Sequence, residues 1–179
     1  SYDDYPSSRT FSYRDDNLDD EYYSDGIYVG YRYFDTFGIM PLYCFGYGKG
    51  YTDFSLVTKE VTADEKLVKV EVEVTNIGKV YPGREVVQVY YSAPDGVMEK
   101  PTQELAGFAK TKLLMPGEKE VVTVTFATED MVSYDSYDAA WVMEEGEYTI
   151  RVVNSSRTTE VAVIIDLDET VQTVLLKNV

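Results

Sequence analysis

Four valines at strict two-residue spacing, Val68, Val70, Val72 and Val74, constrain this chain more than any other feature. Lys69, Glu71 and Glu73 stand between them and Thr75 follows. Successive side chains of an extended strand point to opposite faces, so this spelling gives one apolar face and one charged face. Such a strand keeps one side in a core and the other in water. The pattern returns twice: in Val122, Val124 and Phe126 around Thr123 and Thr125, and in Tyr148, Ile150 and Val152 around Thr149 and Arg151.

Glu85–Ser92 departs from that pattern. Val87, Val89 and Tyr91 are apolar on one face, and Val86 and Tyr90 are apolar on the other. A strand with two apolar faces is covered on both sides. Turn-forming spellings separate the runs: Asn76-Ile77-Gly78, Asp95-Gly96, Pro116-Gly117 and Glu145-Gly146. Short alternating strands with regular turns indicate an all-β fold, an antiparallel β-sandwich of the immunoglobulin or fibronectin type III kind, here preceded by an extended junction segment. Strands are expected near 55–63, 66–76, 84–93, 103–114, 119–127, 147–154 and 158–165. The one helical turn is expected near Glu129–Val132, and Trp141 is expected to pack across the core.

Within 179 residues, one domain with extensions is expected rather than two full domains. The balance of 16 basic and 32 acidic residues, a net charge of −16, argues against nucleic acid and anionic membranes as partners. No apolar run reaches the roughly 20 residues that a membrane helix needs. The absence of histidine removes His-based triads and His metal ligands. Cys44 is the single cysteine, which excludes an internal disulfide and favours a reducing, cytoplasmic setting. No cofactor or metal site is expected.

Residues 1–25 form an acidic arm, with eight Asp or Glu against Arg9 and Arg14, and no sustained period; an extended loop is expected. Eleven of the seventeen tyrosines nevertheless lie before Asp53, too many for a free solvated tail. The segment should therefore dock. Val86 and Tyr90 need a cover, and residues 26–51 are the nearest apolar chain.

Within that segment, Tyr31-Arg-Tyr-Phe-Asp35 precedes Pro41-Leu-Tyr-Cys-Phe-Gly-Tyr-Gly48. The pair resembles the junction at the end of the α/β sandwich domain in glycoside hydrolase family 3, the β-glucosidase family. The resemblance continues through Val74-Thr-Asn-Ile-Gly78, Gly83-Arg-Glu-Val-Val-Gln-Val-Tyr90, Leu114-Met-Pro-Gly-Glu118, Gly146-Glu-Tyr148 and Ser155-Ser-Arg157. These motifs follow in order and cover roughly residues 4–157. Cys44 stands where that family usually has proline, and Lys49-Gly50 where it has Leu-Ser. The resemblance implies a domain plan: residues 1–53 as arm and junction, 54–165 as a fibronectin type III-like domain, and 166–179 as a tail or linker. The apolar tail residues Val171, Val174, Leu175 and Leu176 suggest a chain that continues into the family's barrel domain.

The parent implied by this resemblance is a retaining β-glycosidase, whose chemistry needs two carboxyl groups about 5–5.5 Å apart across one glycosidic bond. In the family these are an Asp on a TIM barrel and commonly a Glu on the α/β sandwich domain. No Asp or Glu here matches either motif. The expected role is therefore non-catalytic: a structural domain whose partners are the catalytic domains of the parent. Tyr31, Tyr33, Phe34, Tyr43, Phe45, Tyr47, Val86 and Tyr90 are its candidate interface residues. Two other readings stay open, an independent carbohydrate-binding or adhesive module and a subunit complementing a separate catalytic chain.

Sharper motifs fail on their details. Asp15, Asn17 and Asp19 fit positions one, three and five of a calcium loop, but Asp20 stands where glycine is required and Gly26 where glutamate is. Gly46-Tyr-Gly-Lys-Gly50 lacks the strand-to-helix context of a phosphate loop. Stacking of sugars on the Tyr28–Phe37 rings is disfavoured, because strand alternation would send those rings to both sides. By the same logic Arg32 and Asp35 would not share a face.

Overall fold

The computed structural model describes residues 1–11, 14–158 and 160–176. Among these described residues, ten strands run in chain order: β1 (Phe54–Ala63), β2 (Leu67–Asn76), β3 (Val86–Ser92), β4 (Glu104–Lys110), β5 (Lys119–Ala127), β6 (Ser133–Asp135), β7 (Ala140–Met143), β8 (Gly146–Val153), β9 (Val161–Leu167) and β10 (Val171–Leu175). All pairings are antiparallel and form three sheets, ordered β1-β2-β5, β4-β3-β8-β9 and β10-β7-β6. The first two face each other as a fibronectin type III-like sandwich.

The period-two valines make the core. Val68, Val70, Val72 and Val74 are fully buried, with Val122, Val124 and Phe126 beside them on β5. Val87, Val89, Tyr91, Tyr148, Ile150 and Val152 meet them from the opposite sheet. Each such side chain contributes about 1.5–3 kcal/mol relative to its exposed state, so this double layer dominates stability. The 3₁₀ turn Thr128–Met131 lies close to where the helical turn was expected and sets Met131 into the same core. At one open side the sheets approach closely through Gly107 on β4, where a Cβ would sit 2.8 Å from Val124 Cγ1. At the other, β1 is an outer strand. Its register shifts between Thr58 and Glu60, leaving Lys59 as an extra residue with no partner on β2.

A single side chain ties the loops at one end. Asn76 is fully buried at the end of β2. Its amide nitrogen donates to the carbonyls of Leu114 (2.9 Å) and Tyr81 (3.1 Å). Its Oδ1 accepts from Thr52 Oγ1 (2.5 Å) and from the Gly78 N–H (3.0 Å). A buried amide that satisfies four partners is what the Val-Thr-Asn-Ile-Gly spelling encodes: strand residues, then an amide placed to replace ladder bonds with loop bonds.

Several sequence expectations need correction. Trp141 does not cross the core. It lies on β7 in the small third sheet and is 37% exposed, with its ring 5.2 Å from Tyr134. The three strands of that sheet have three to five residues, too short to carry a readable period. Past residue 165, β9 continues to Leu167, and Val171–Leu175 form β10, which pairs with β7. Among its described residues the arm includes the short 3₁₀ turns Tyr2–Asp4 and Pro6–Arg9, where a loop was expected. The junction is not extended throughout, because Tyr31–Thr36 forms a helix, α1.

Candidate interdomain interface

Helix α1 has six residues, and it places Tyr31, Arg32, Phe34 and Asp35 around barely more than one turn. Strand alternation therefore does not govern these side chains. Arg32 and Asp35 sit one helical turn apart and take separate partners across the gap to the sandwich. Arg32 lies 3.3 Å from Glu104, and Asp35 Oδ1 lies 2.7 Å from Arg157 Nε.

The helix is fastened by a clasp of polar contacts. The Leu105 N–H donates to the Tyr31 hydroxyl (2.8 Å), and the Thr102 N–H donates to Thr36 Oγ1 (2.9 Å). Gln103 Nε2 donates to Asp35 Oδ2 (3.1 Å) and to the Ser156 carbonyl (2.5 Å). Arg157 donates to the carbonyls of Phe34 (3.0 Å), in the last turn of α1, and Ile39 (2.6 Å), in the loop that follows it. Its Nε faces Asp35 without directing a hydrogen bond at it, so that contact is ionic. Further along, the Ser156 N–H donates to the Phe45 carbonyl (2.9 Å). The spellings Tyr31-Arg-Tyr-Phe-Asp35 and Ser155-Ser-Arg157, some 120 positions apart, are the two halves of one contact.

Aromatic packing covers the second face of β3. Tyr90 is fully buried, and the Tyr31 ring meets it edge-on at 5.8 Å, with Phe45 at 5.2 Å from Tyr31. Burial, then the nearby Tyr31 and Asp35, raises the Tyr90 hydroxyl well above the usual tyrosine range, and it stays a neutral donor to Gln88 Oε1 (2.6 Å). Gly46 rests on that same Gln88. Its φ of +86° and the Asn154 carbonyl oxygen, 2.8 Å from where a Cβ would sit, favour glycine over any other residue.

The eight candidate interface residues thus divide. Tyr31, Phe34 and Tyr90 are held inside the chain, with Phe34 against Tyr5 at 5.0 Å. Tyr33 is half-buried between Phe34 and Phe37. Val86 is half-buried at the start of β3, opposite Lys110. Tyr43, Phe45 and Tyr47 are exposed, the two tyrosines stacked 4.8 Å apart. Sequence reasoning did not single out Met40, Leu42 and Tyr51, which are among the most exposed apolar residues and belong to the same segment. Their run in the chain, apolar between glycines, was the available signal.

A second polar anchor lies nearby. Lys100 and Glu144 form a nearly buried ion pair. Glu144 Oε1 also accepts from the Val97 N–H (2.7 Å), and Lys100 donates to the Pro94 carbonyl (3.0 Å). Burial alone would raise the Glu144 carboxyl. Lys100 and the Val97 N–H outweigh it and hold the group below the usual glutamate range. This pair pins the loop between β3 and β4 that leads into the clasp.

Comparison with known proteins converges on one family. The fibronectin type III-like domain model matches residues 85–156. β-Glucosidase A of Butyrivibrio fibrisolvens is 45% identical over 87% of this chain, which covers 21% of that protein. A β-glucosidase from Paenibacillus barengoltzii superposes with a TM-score of 0.92 at 38% identity, over 99% of this chain and 20% of that one. The GH3 β-glucosidase of Bifidobacterium adolescentis superposes with a TM-score of 0.77 at 29% identity, over 95% of this chain and 24% of its own. This chain belongs to glycoside hydrolase family 3. It carries that family's fibronectin type III-like domain and spans about a fifth of the length of the relatives it matches.

Proposed function

We propose that this chain is the non-catalytic accessory domain of a β-glucosidase and braces the catalytic domains of that enzyme. One observation carries the reading: the junction is clasped to the sandwich, yet Met40, Leu42, Tyr43, Phe45, Tyr47 and Tyr51 of the same segment remain exposed. So many exposed large apolar residues in one short segment mark a site for contact with another protein surface. The other four-fifths of the relatives' length supplies one in the same polypeptide. The catalytic carboxylates belong to that remainder.

The test has two arms. The chain alone is assayed with an aryl β-glucoside, and no turnover is expected. The parent enzyme carrying Tyr43→Asp with Tyr47→Asp should lose several degrees of Tm and become sensitive to proteolysis near residue 50. Hydrolysis that tracks with the isolated chain removes the non-catalytic reading. A parent variant as stable as wild type removes the bracing role.

A second reading has its own observation. Trp141 and Val174 line an open cleft with Glu104, Glu129, Asp130 and Thr173, an indole beside carboxylate and hydroxyl groups that suit sugar hydroxyls. Saturable quenching of Trp141 fluorescence by cello-oligosaccharides would favour a carbohydrate-binding module; no response at millimolar sugar would exclude it.

A further inference from the structure

One buried polar group in the clasp lacks the partner its burial demands. Ser156 is 4% exposed, and its hydroxyl oxygen has no hydrogen-bond partner among the described residues, whereas the neighbouring Arg157 Nε is answered by Asp35 at 2.7 Å. Leaving such a hydroxyl unpaired costs about 1–3 kcal/mol, so it points to an occupant.

Both residues line a cleft of about 180 Å³, together with Thr102, Gln103, Arg151 and Asp35. The charges there do not balance. Asp35 faces Arg157 at 2.7 Å, whereas Arg151 has no carboxylate partner among the described residues and donates only to the neutral Ser92 Oγ (2.5 Å). That arrangement is unexpected in a chain where acidic residues outnumber basic ones two to one, 32 against 16. A water molecule would satisfy Ser156 Oγ but would leave the guanidinium charge unanswered. An oxyanion answers both, since it accepts from a hydroxyl and from a guanidinium fork at once.

We propose that this cleft binds a small oxyanion, a carboxylate or phosphate group, with Arg151 and Ser156 Oγ as its donors. Bound there, the anion bridges Arg151 on β8 and Ser156 in the loop that follows it, while Arg157 neutralises the Asp35 carboxylate that shares the cleft. The site stands whether or not the chain braces a glycosidase. A carboxylate could come from a small molecule or from an acidic side chain of an adjoining domain, and the chemistry at Arg151 is the same for both.

The test uses the whole chain at pH 7, with sodium phosphate, sodium acetate and sodium chloride compared at equal ionic strength. The arginine Nε–H resonances are followed by NMR. Phosphate or acetate should give a saturable shift of the Arg151 signal in the millimolar range, while chloride gives none. Arg151→Gln should weaken that binding about tenfold or more, the effect of one charge-assisted hydrogen bond. Ser156→Ala should weaken it several-fold without lowering Tm in chloride, because it removes an unpaired hydroxyl. If Arg151→Gln does not fold, Ser156→Ala decides alone. Saturation by both anions, or by either one, supports the site. The proposal is overturned if neither anion saturates, or if the variants bind as wild type does.

Discussion

The sandwich core and the junction are two solutions to the same problem, covering β3 on both faces. On the inner face Val87, Val89 and Tyr91 meet valines from β2 and β5, and nothing further is needed. On the outer face the cover comes from residues 26–51, held by Arg157, Gln103 and Leu105 through hydrogen bonds and by two ionic contacts, Asp35–Arg157 and Arg32–Glu104. The first is a closed apolar layer. The second is a layer closed on one side only, with Tyr43, Phe45 and Tyr47 still facing water. Stability should therefore reside in the core, and specificity of assembly in the junction.

The contrast breaks most visibly at Val72. Val72→Asp would bury an unpaired charge in the closed layer and should cost about 4 kcal/mol or more, read as loss of the cooperative urea transition. If the variant folds with near wild-type stability, the core does not dominate. Asn76→Ala comes next, since it strips partners from two carbonyls, a hydroxyl and an N–H. About 2–3 kcal/mol is expected, with an unchanged denaturant slope.

Arg157→Gln sharpens the comparison by striking the junction alone. Global stability should fall by only about 1–2 kcal/mol, while hydrogen-exchange protection across Tyr31–Tyr47 is lost and that of β2 is kept. Equal loss in both regions would make them one cooperative unit. A smaller effect concerns pH. The Glu144 carboxyl is depressed in the folded chain, so its contribution is full above the ordinary glutamate value of about 4.3 and fades as pH falls through the lowered value. The melting temperature should thus drop more steeply below about pH 4.3 in wild type than in Glu144→Gln. Identical acid limbs would remove the pair from the account. Least of all, Asp16→Asn and Asp19→Asn should change stability by less than about 0.5 kcal/mol, with no response to calcium. A calcium-dependent rise in Tm that these variants abolish would turn the arm into a metal site.

The sandwich was legible because period two over seven to ten residues has few other interpretations, and the β2 and β5 ranges expected from it agree with the structure to within a residue. The two-faced spelling of β3 also announced that Tyr90 would be covered. The rest was hidden for definable reasons. Six residues of α1, three of them aromatic, are too few to display a helical period. Strands β6, β7 and β10 are too short to alternate readably, so Trp141 was assigned to the nearest core. The clasp joins Asp35 to Arg157 and Thr36 to Thr102, pairs with no local signature, which only the folded topology brings together.

The extra residue at Lys59 bears on how such a domain behaves when it is not surrounded. An outer strand offers a row of open backbone groups to any second strand that arrives, and repeated addition is the route to fibres. The register shift beside Lys59 twists β1 just where a neighbour would have to lie flat, and it places a lysine and Glu60 at the point of approach. A growing stack would have to reproduce that kink and bring like charges together in every layer. The same irregularity that spoils one pairing within the sheet makes the edge a poor template for endless ones.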